Sequence, residues 1–150
     1  MRMLVFVRHG DYGKDGHLDD SGRKKIGSLA KNLRSLIKEG TTVKILTSMA
    51  DRATESAEII SNIFNDVFEK HKILYSDITC EVKVPEVVEL IKGQGAYEVV
   101  IVVTHLEYVE EFSRFVKALF GVEPRQPGHV PRSYALLFNR KDGEIIILRP

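Results

Sequence analysis

The segment Glu98-Val-Val-Ile-Val-Val103 contains an uninterrupted run of β-branched apolar residues, and Met3-Leu-Val-Phe-Val7 is a second apolar run. Neither run alternates between apolar and polar residues, which is typical of strands covered on both faces of a parallel sheet. Val43 to Leu46 is predicted as a shorter strand, and His71 to Tyr75 as a further one. Runs of this length also exclude a membrane-spanning helix, which needs about 20 apolar residues.

Amphipathic helices are predicted between these strands, because apolar residues recur there at the i, i+3, i+4, i+7 spacing of one helical face. The apolar faces are, in chain order, Ile26, Leu29, Ala30, Leu33, Leu36 and Ile37; Ala53, Ala57, Ile60, Phe64 and Val67; Val87, Val88, Leu90 and Ile91; and Val109, Phe112, Val116, Leu119 and Phe120. Ser48-Met-Ala-Asp51 has the form of a capping box, which predicts the start of the second helix. Gly121 is predicted to end the last one.

The C-terminal part is predicted to contain strands joined by a tight turn. Ser133 to Asn139 and Glu144 to Leu148 flank Asp142-Gly143, a dipeptide that tolerates positive φ and favours a hairpin. Strands alternating with helices, followed by this hairpin, predict an α/β fold. We expect a three-layer α/β/α sandwich whose mainly parallel sheet gains antiparallel pairing from the C-terminal hairpin, with residues 1–150 forming a single domain.

Charge and cysteine content narrow the functional classes. The 22 lysines and arginines nearly balance the 21 aspartates and glutamates, so the net charge of +1 gives no overall field that would attract nucleic acid. Cys80 is the sole cysteine, which excludes an intramolecular disulfide and fits a reducing compartment. Arg8 closes the first apolar run too early for a signal peptide. These features predict a cytoplasmic protein that binds neither nucleic acid nor membrane.

Polar clusters follow three of the predicted strands: Arg8-His9-Gly10, Thr47 to Arg52, and Thr104-His105. Ligands of parallel α/β sheets bind outside the carboxyl ends of the strands, so we expect these clusters to form one pocket. Its arginines match phosphate oxygens bidentately, and an unprotonated histidine is able to attack phosphorus at neutral pH. The histidines lack the spacing of a metal site, and neither a metal nor a cofactor is expected.

These clusters resemble motifs of the histidine phosphatase superfamily, which includes the phosphoglycerate mutases. Arg8-His9-Gly10 resembles the signature at the end of that family's first strand. Leu18-Asp-Asp-Ser-Gly22 is similar to the lead into its first helix, with Asp19 at the predicted N-cap. Ser48 to Ala57 resembles the stretch that carries its second phosphate-binding arginine, and Val103-Thr-His105 resembles the strand end that carries its second histidine.

The resemblance implies a role for each matching residue. His9 is expected to be the nucleophile, and Arg8, Arg52 and His105 are expected to bind and neutralise the phosphoryl group, with Gly10 also contacting the substrate. Transfer to His9 would give a phosphohistidine intermediate that water then hydrolyses. Such transfer depends mainly on positioning and charge stabilisation, so the arginines make a metal unnecessary.

A general acid is harder to assign, because the sequence context that surrounds the family's glutamate is absent. The candidates are Asp77, Glu81 and Glu86, and Glu81 is preferred because its loop position is nearest to the family's. The short chain and the Arg-His-Gly-Asp11 run look more like the small SixA-type phosphohistidine phosphatases. An imidazole leaving group needs less acid assistance than an alkoxide, which favours a protein phosphohistidine as substrate.

Two alternatives stay open at this stage. The first is a small-molecule phosphomonoesterase or a mutase of the same superfamily, acting on a phosphorylated metabolite instead of a phosphorylated protein. A mutase ranks lower, because it must keep water from its phosphorylated intermediate and this chain is short for such a cover. The second is a phosphate-binding module that does not turn over.

Overall fold

The computed structural model describes residues 1–75 and 81–150. The strands are β1 (Met3–Arg8), β2 (Val43–Thr47), β3 (Phe68–Lys70), β4 (Val99–Thr104), β5 (Ala135–Asn139) and β6 (Ile145–Leu148). They form one sheet in the order β3-β2-β4-β1-β5-β6. The pairs β1–β4, β2–β4 and β2–β3 are parallel, whereas β1–β5 and β5–β6 are antiparallel. The predicted mainly parallel sheet with a C-terminal antiparallel hairpin is therefore confirmed.

Helices connect the parallel strands. The helices are α1 (Asp20–Leu36), α2 (Asp51–Phe64), α3 (Val84–Lys92), α4 (Leu106–Val109) and α5 (Phe112–Phe120), together with a 3₁₀ helix at Lys72–Leu74. The apolar period predicted from Val109 to Phe120 is divided between α4 and α5, and Gly121 ends α5 with a φ of 74°. Within the described ranges, no helix combines the length and apolar character needed to cross a membrane.

Each face of the sheet buries its own apolar core. Along β1, Met3, Val5 and Val7 point into the core beneath α1 and α2, whereas Leu4 and Phe6 point into the core beneath α3, α4 and α5. A strand buried on both faces has no polar side to show, which is why its sequence does not alternate. The two cores confirm the predicted α/β/α layers.

The predicted strand at His71 to Tyr75 is wrong. Pairing with β2 is made by Phe68–Lys70, and Lys72–Leu74 is a 3₁₀ helix instead. The hydroxyl of Thr104 donates to the Leu74 carbonyl at 2.7 Å, so the backbone of this segment is held by a side chain and not by a neighbouring strand. A short apolar run does not distinguish the two arrangements by its periodicity.

The predicted capping box at the start of α2 is also wrong. Ala50 is the N-cap residue and makes no side-chain cap hydrogen bond. The Ser48 hydroxyl instead accepts a hydrogen bond from the Ala50 amide at 3.2 Å and lies 2.8 Å from Nε2 of His105. The hydroxyl of Ser48 therefore contacts His105 and the amide of the N-cap residue, and Ser48 is not itself the N-cap of α2.

Val67 does not belong to the buried face of α2. The helix ends at Phe64, where Asn65 adopts a left-handed φ of 54°. The side chain of Val67 follows this turn and is 74% exposed. The apolar period therefore continues in the sequence beyond the end of the helix itself.

Gly22 marks a close approach between α1 and the loop after β1. Its amide donates to the carboxylate of Asp19 at 2.7 Å, which is the predicted N-cap interaction. A Cβ at Gly22 would overlap with the carbonyl oxygen of Asp11 and lie 2.9 Å from its amide nitrogen. Helix α1 therefore packs backbone against backbone beside the segment that carries His9.

We predict opposite effects for two alanine substitutions in α1. Gly22→Ala is expected to lower the free energy of unfolding by roughly 2 kcal/mol or more, because backbone must move to admit the methyl group. Gly27→Ala is the matched control, since its Cβ would meet nothing within 4 Å. That change should raise the free energy of unfolding by about 0.5 to 1 kcal/mol through helix propensity. Urea denaturation of both variants measures the difference, and equal effects would contradict the close packing.

Candidate active site

The carboxyl ends of β1, β2 and β4 lie side by side at one edge of the sheet. Arg8 is in register with Thr104, and Thr47 with Val103. The amide of His9 donates to the Thr104 carbonyl at 3.2 Å, and the amide of Ser48 donates to Val103 at 3.0 Å. The residue that follows each strand is consequently fixed by the pairing of its neighbours.

A cleft opens above these strand ends. Its lining among the described residues consists of Arg8, His9, Tyr12, Arg52, His105, Leu106, Glu107 and Arg132. The four residues predicted from the sequence to handle a phosphoryl group thus lie around one space, and the roles assigned to them stay predictions. Both imidazoles are buried, and their ring centroids are 5.1 Å apart.

His9 is held in one tautomer by its neighbours. Its Nδ1 lies 3.0 Å from the carbonyl oxygen of Gly10, which only accepts hydrogen bonds, so Nδ1 carries the proton. Its Nε2 accepts a hydrogen bond from Nε of Arg52 at 3.3 Å. The lone pair of Nε2 therefore points towards the guanidinium of Arg52 and not into the core.

Gly10 acts on the histidine through its backbone. Its carbonyl accepts from His9, while its amide donates to the hydroxyl of Ser56 at 3.1 Å. A Cβ at this position would lie 2.9 Å from the side chain of Ile26. The residue is absent from the described lining of the cleft, and its direct contact with substrate stays a prediction.

Burial keeps both imidazoles neutral near pH 7. The pKa of His9 is lowered to about 3, mainly by burial and in part by the charges of His105, Arg52 and Arg8, while the hydrogen bond to Gly10 opposes the shift. Burial likewise lowers the pKa of His105 to about 4, aided by Arg52 and Arg8 and opposed by Glu107. A neutral imidazole retains the lone pair that a nucleophile requires.

Arg8 enters the cleft from the end of β1. One terminal nitrogen donates to the Val130 carbonyl at 2.8 Å, whereas Nε is buried with no hydrogen-bond partner among the described residues. Burial and the neighbouring Arg132 lower the pKa of Arg8. The guanidinium nevertheless stays charged at neutral pH and offers donors to an anion.

The sequence analysis missed four residues of the described cleft lining: Tyr12, Leu106, Glu107 and Arg132. Tyr12 lies three positions after His9, and Glu107 lies two positions after His105, so proximity to the strand ends is a signal that could have found both. Arg132 belongs to the loop between α5 and β5, which contains Pro124, Pro127 and Pro131 and is called the proline-rich loop below. This loop is far along the chain from the other lining residues. No local pattern distinguishes Arg132 from an ordinary surface arginine.

The acid candidates from the sequence lie elsewhere. Glu81 and Glu86 are both exposed and do not belong to the described lining of the cleft. Asp77 lies outside the described residues. A role for Glu81 as the general acid stays a prediction, and Glu107 is the carboxylate that the structure places in the described cleft lining.

Comparison with solved structures identifies the fold. The putative phosphohistidine phosphatase SixA from Agrobacterium tumefaciens superposes with a TM-score of 0.70 at 17% identity, over 99% of this chain and 98% of that one. The protein histidine phosphatase SixA in complex with tungstate gives 0.68 at 18% identity, over 97% and 93%. A mutant phosphoserine phosphatase from Entamoeba histolytica in complex with phosphoserine gives 0.67 at 12% identity, over 99% and 97%.

These likenesses establish that the chain has the fold of histidine phosphatases over nearly its whole length. The fold implied by the sequence resemblance is therefore confirmed. No family model matches the sequence, and no curated protein matches it either. The fold is therefore shared at sequence identities that are too low to infer an activity for this chain from these structures.

We predict that the buried imidazoles make the protein less stable in acid. The unfolded chain binds a proton at His9 below the ordinary pKa of 6.5, whereas the folded protein does so only near 3. The free energy of unfolding should therefore fall as pH drops from 6.5 towards 3, with His9 contributing about 2 kcal/mol of loss by roughly pH 5.

Urea denaturation at neutral pH and in mild acid tests this expectation. The loss on acidification should be smaller in His9→Asn than in the wild type. His129→Asn is the matched control, because His129 is exposed and outside the described cleft lining. An identical acid loss in the wild type and in His9→Asn would contradict the neutral, buried imidazole.

Proposed function

We propose that this protein is a phosphatase that hydrolyses a phosphoryl group through a covalent phosphohistidine intermediate on His9. The observation that carries the proposal is the state of this imidazole: it is neutral, its Nδ1 proton is held by Gly10, and its Nε2 lone pair meets Arg52. An imidazole in that state is a nucleophile beside a binding group for the phosphate it attacks.

In the first step, the guanidinium groups of Arg8 and Arg52 bind the phosphoryl oxygens. Arg52 exchanges its hydrogen bond to His9 for one to phosphate, which releases the Nε2 lone pair. Nε2 then bonds to phosphorus in line with the leaving group. The bond between phosphorus and the leaving group breaks, and the leaving group takes the electron pair of that bond. The positive charge that develops on the ring is stabilised by the hydrogen bond from Nδ1 to the Gly10 carbonyl.

His105 completes the binding of the phosphoryl group. Its Nε2 is hydrogen bonded to Ser48 at 2.8 Å, which fixes the ring plane beside His9. In the second step, water attacks phosphorus, the phosphorus–nitrogen bond breaks and its electron pair returns to Nε2, and the protons of the water leave on the inorganic phosphate product. The described arginines supply the positive charge for both steps, so the proposed mechanism needs no metal.

A phosphohistidine on another protein is the substrate we favour. The leaving imidazole departs as a neutral ring once its other nitrogen is protonated, so it depends weakly on an acid in the cleft. The fold is shared with proteins described as phosphohistidine phosphatases, which supports the same choice.

Glu107 gives a specific reason to keep a phosphate monoester as the second candidate. An alkoxide leaving group needs a proton, and a carboxyl group in the cleft is able to supply one. The fold shared with a phosphoserine phosphatase is consistent with such a substrate. The two candidates differ in whether turnover depends on this carboxyl group.

We predict that His9→Ala abolishes turnover of phosphohistidine protein and of aryl phosphates. The loss in kcat should be about 10³-fold or more, because the variant lacks the attacking atom. Mass spectrometry of rapidly quenched wild type should reveal one phosphoryl group on His9, and His129→Ala should behave like the wild type. Undiminished turnover in His9→Ala would contradict the nucleophile. Binding of inorganic phosphate by a wild type without any turnover would indicate a silent phosphate-binding module.

We predict that Glu107→Gln separates the two substrate classes. If the protein acts on monoesters, the substitution should slow alkyl phosphates by about 10² to 10⁴-fold while sparing aryl phosphates with acidic leaving groups. If it acts on phosphohistidine, turnover of that substrate should change little. A leaving-group series for the wild type, Glu107→Gln, Glu81→Gln and Asp77→Asn measures this. A selective loss of alkyl turnover in Glu81→Gln or Asp77→Asn instead would assign the acid to that residue.

A further inference from the structure

Arg132 adds a third guanidinium to the cleft, and it is held there by an aromatic ring. Its Cζ lies 4.6 Å from the centroid of the Tyr12 ring, and the Cζ of Arg52 lies 4.7 Å from the same centroid. Tyr12 also packs edge-on against His9, with 5.4 Å between the ring centroids. One half-buried phenol ring thus contacts the nucleophile, a predicted phosphate-binding arginine and Arg132.

The backbone next to Arg132 is anchored beneath the site. Ser133 is fully buried and has a φ of 67°, a left-handed conformation that costs energy for a residue other than glycine. Its amide donates to the carbonyls of Arg8 at 3.2 Å and His9 at 3.1 Å. The strained residue Ser133 therefore holds the backbone next to Arg132 against the end of β1.

A third positive charge in the cleft is electrostatically unfavourable, because it repels a guanidinium group that is already there. Arg132 lowers the pKa of Arg8, which means that the two guanidinium groups repel each other. The two histidines are neutral, and Glu107 is the carboxylate among the described lining residues. Repulsion and backbone strain together at a cleft are typical of groups arranged for a ligand of opposite charge.

The three arginines differ in how deeply they are buried, and this difference indicates different roles. Arg8 and Arg52 are half-buried and border His9, where the phosphoryl group must lie for transfer. Arg132 is exposed and lines the mouth of the same cleft. A group that meets Arg132 is therefore a part of the substrate that extends from the phosphoryl group towards solvent.

We propose that Arg132, supported by the ring of Tyr12, is a specificity-determining residue that binds a second anionic group of the substrate beside the transferred phosphoryl group. This inference rests on the proposed phosphatase function and adds the substrate class: a phosphorylated compound or protein segment with a carboxylate or second phosphate next to the reacting phosphate. Tyr12 is a positioning residue in this scheme, and Arg132 makes the contact.

Two aryl phosphates of matched reactivity test the proposal: 3-carboxyphenyl phosphate and its neutral amide, 3-carbamoylphenyl phosphate. Arg132→Gln should lower kcat/KM for the carboxylate substrate by about 10 to 100-fold, the value of one charged hydrogen bond. The neutral substrate and inhibition by inorganic phosphate should stay within about twofold. Arg125→Gln is the matched control, because it removes an exposed arginine of the same proline-rich loop that is outside the described cleft lining.

Variants of Tyr12 separate the contact that Arg132 makes with the substrate from the positioning of Arg132 by the Tyr12 ring. Tyr12→Phe keeps the ring and should keep the preference for the carboxylate substrate, whereas Tyr12→Leu should lose it. Arg132→Lys should restore part of the preference, since the charge returns without the planar group that stacks on the ring. These readouts compare two substrates on one variant, so a general loss of folded protein does not imitate them.

Three outcomes would overturn the proposal: no preference for the carboxylate in the wild type, an equal loss of both substrates and of phosphate inhibition in Arg132→Gln, or no change in that variant. The second of these would place Arg132 on the phosphoryl group itself. Failure of the proposed function looks different, because the wild type would then turn over neither aryl phosphate. Calorimetric titration with the same two compounds would in that case still measure the preference at equilibrium.

Discussion

The parallel pairing of β4 with β1 on one side and β2 on the other is the constraint on which the site depends. It brings three strand ends to the same level, so that His9, Ser48 and His105 become neighbours although they are far apart in the sequence. No contact between the imidazoles is needed to create this arrangement, because ladder hydrogen bonds and two buried apolar faces already fix it. The proposed catalytic residues thus lie at an edge whose position is set by strand pairing and by two buried cores.

The same packing sets the electrostatics of the cleft. An imidazole at a buried strand end loses hydration, so its neutral form is favoured, and nearby guanidinium groups act in the same direction. His9 therefore keeps a lone pair in surroundings that are otherwise cationic. In the proposed mechanism, a phosphoryl dianion pairs with Arg8 and Arg52, while the neutral ring keeps the lone pair with which it attacks. Burial and positive charge both destabilise a protonated histidine, so both favour the neutral form that the proposed mechanism requires.

Much of this site was predictable, because residues that directly follow apolar strands inherit their position from the sheet. Arg8, His9 and His105 are of this kind, and Arg52 lies in the first turn of the next helix. Arg132 was not predictable, because its place depends on a loop whose course is set by Ser133 and its two hydrogen bonds. A sequence pattern reports periodic burial, and neither a proline-rich loop nor a ring stacked between cations is periodic.

Two of the local errors have a common physical cause. Ser48 matches a helix-capping pattern but gives its hydroxyl to His105, and the 3₁₀ helix at Lys72–Leu74 replaces a strand where the hydroxyl of Thr104 takes the Leu74 carbonyl. In both places, a side chain at the edge of the sheet that borders the cleft makes a hydrogen bond in place of the predicted secondary structure. Local rules fail most often where the fold uses polar groups for a ligand, so these departures mark the same edge that the cleft occupies.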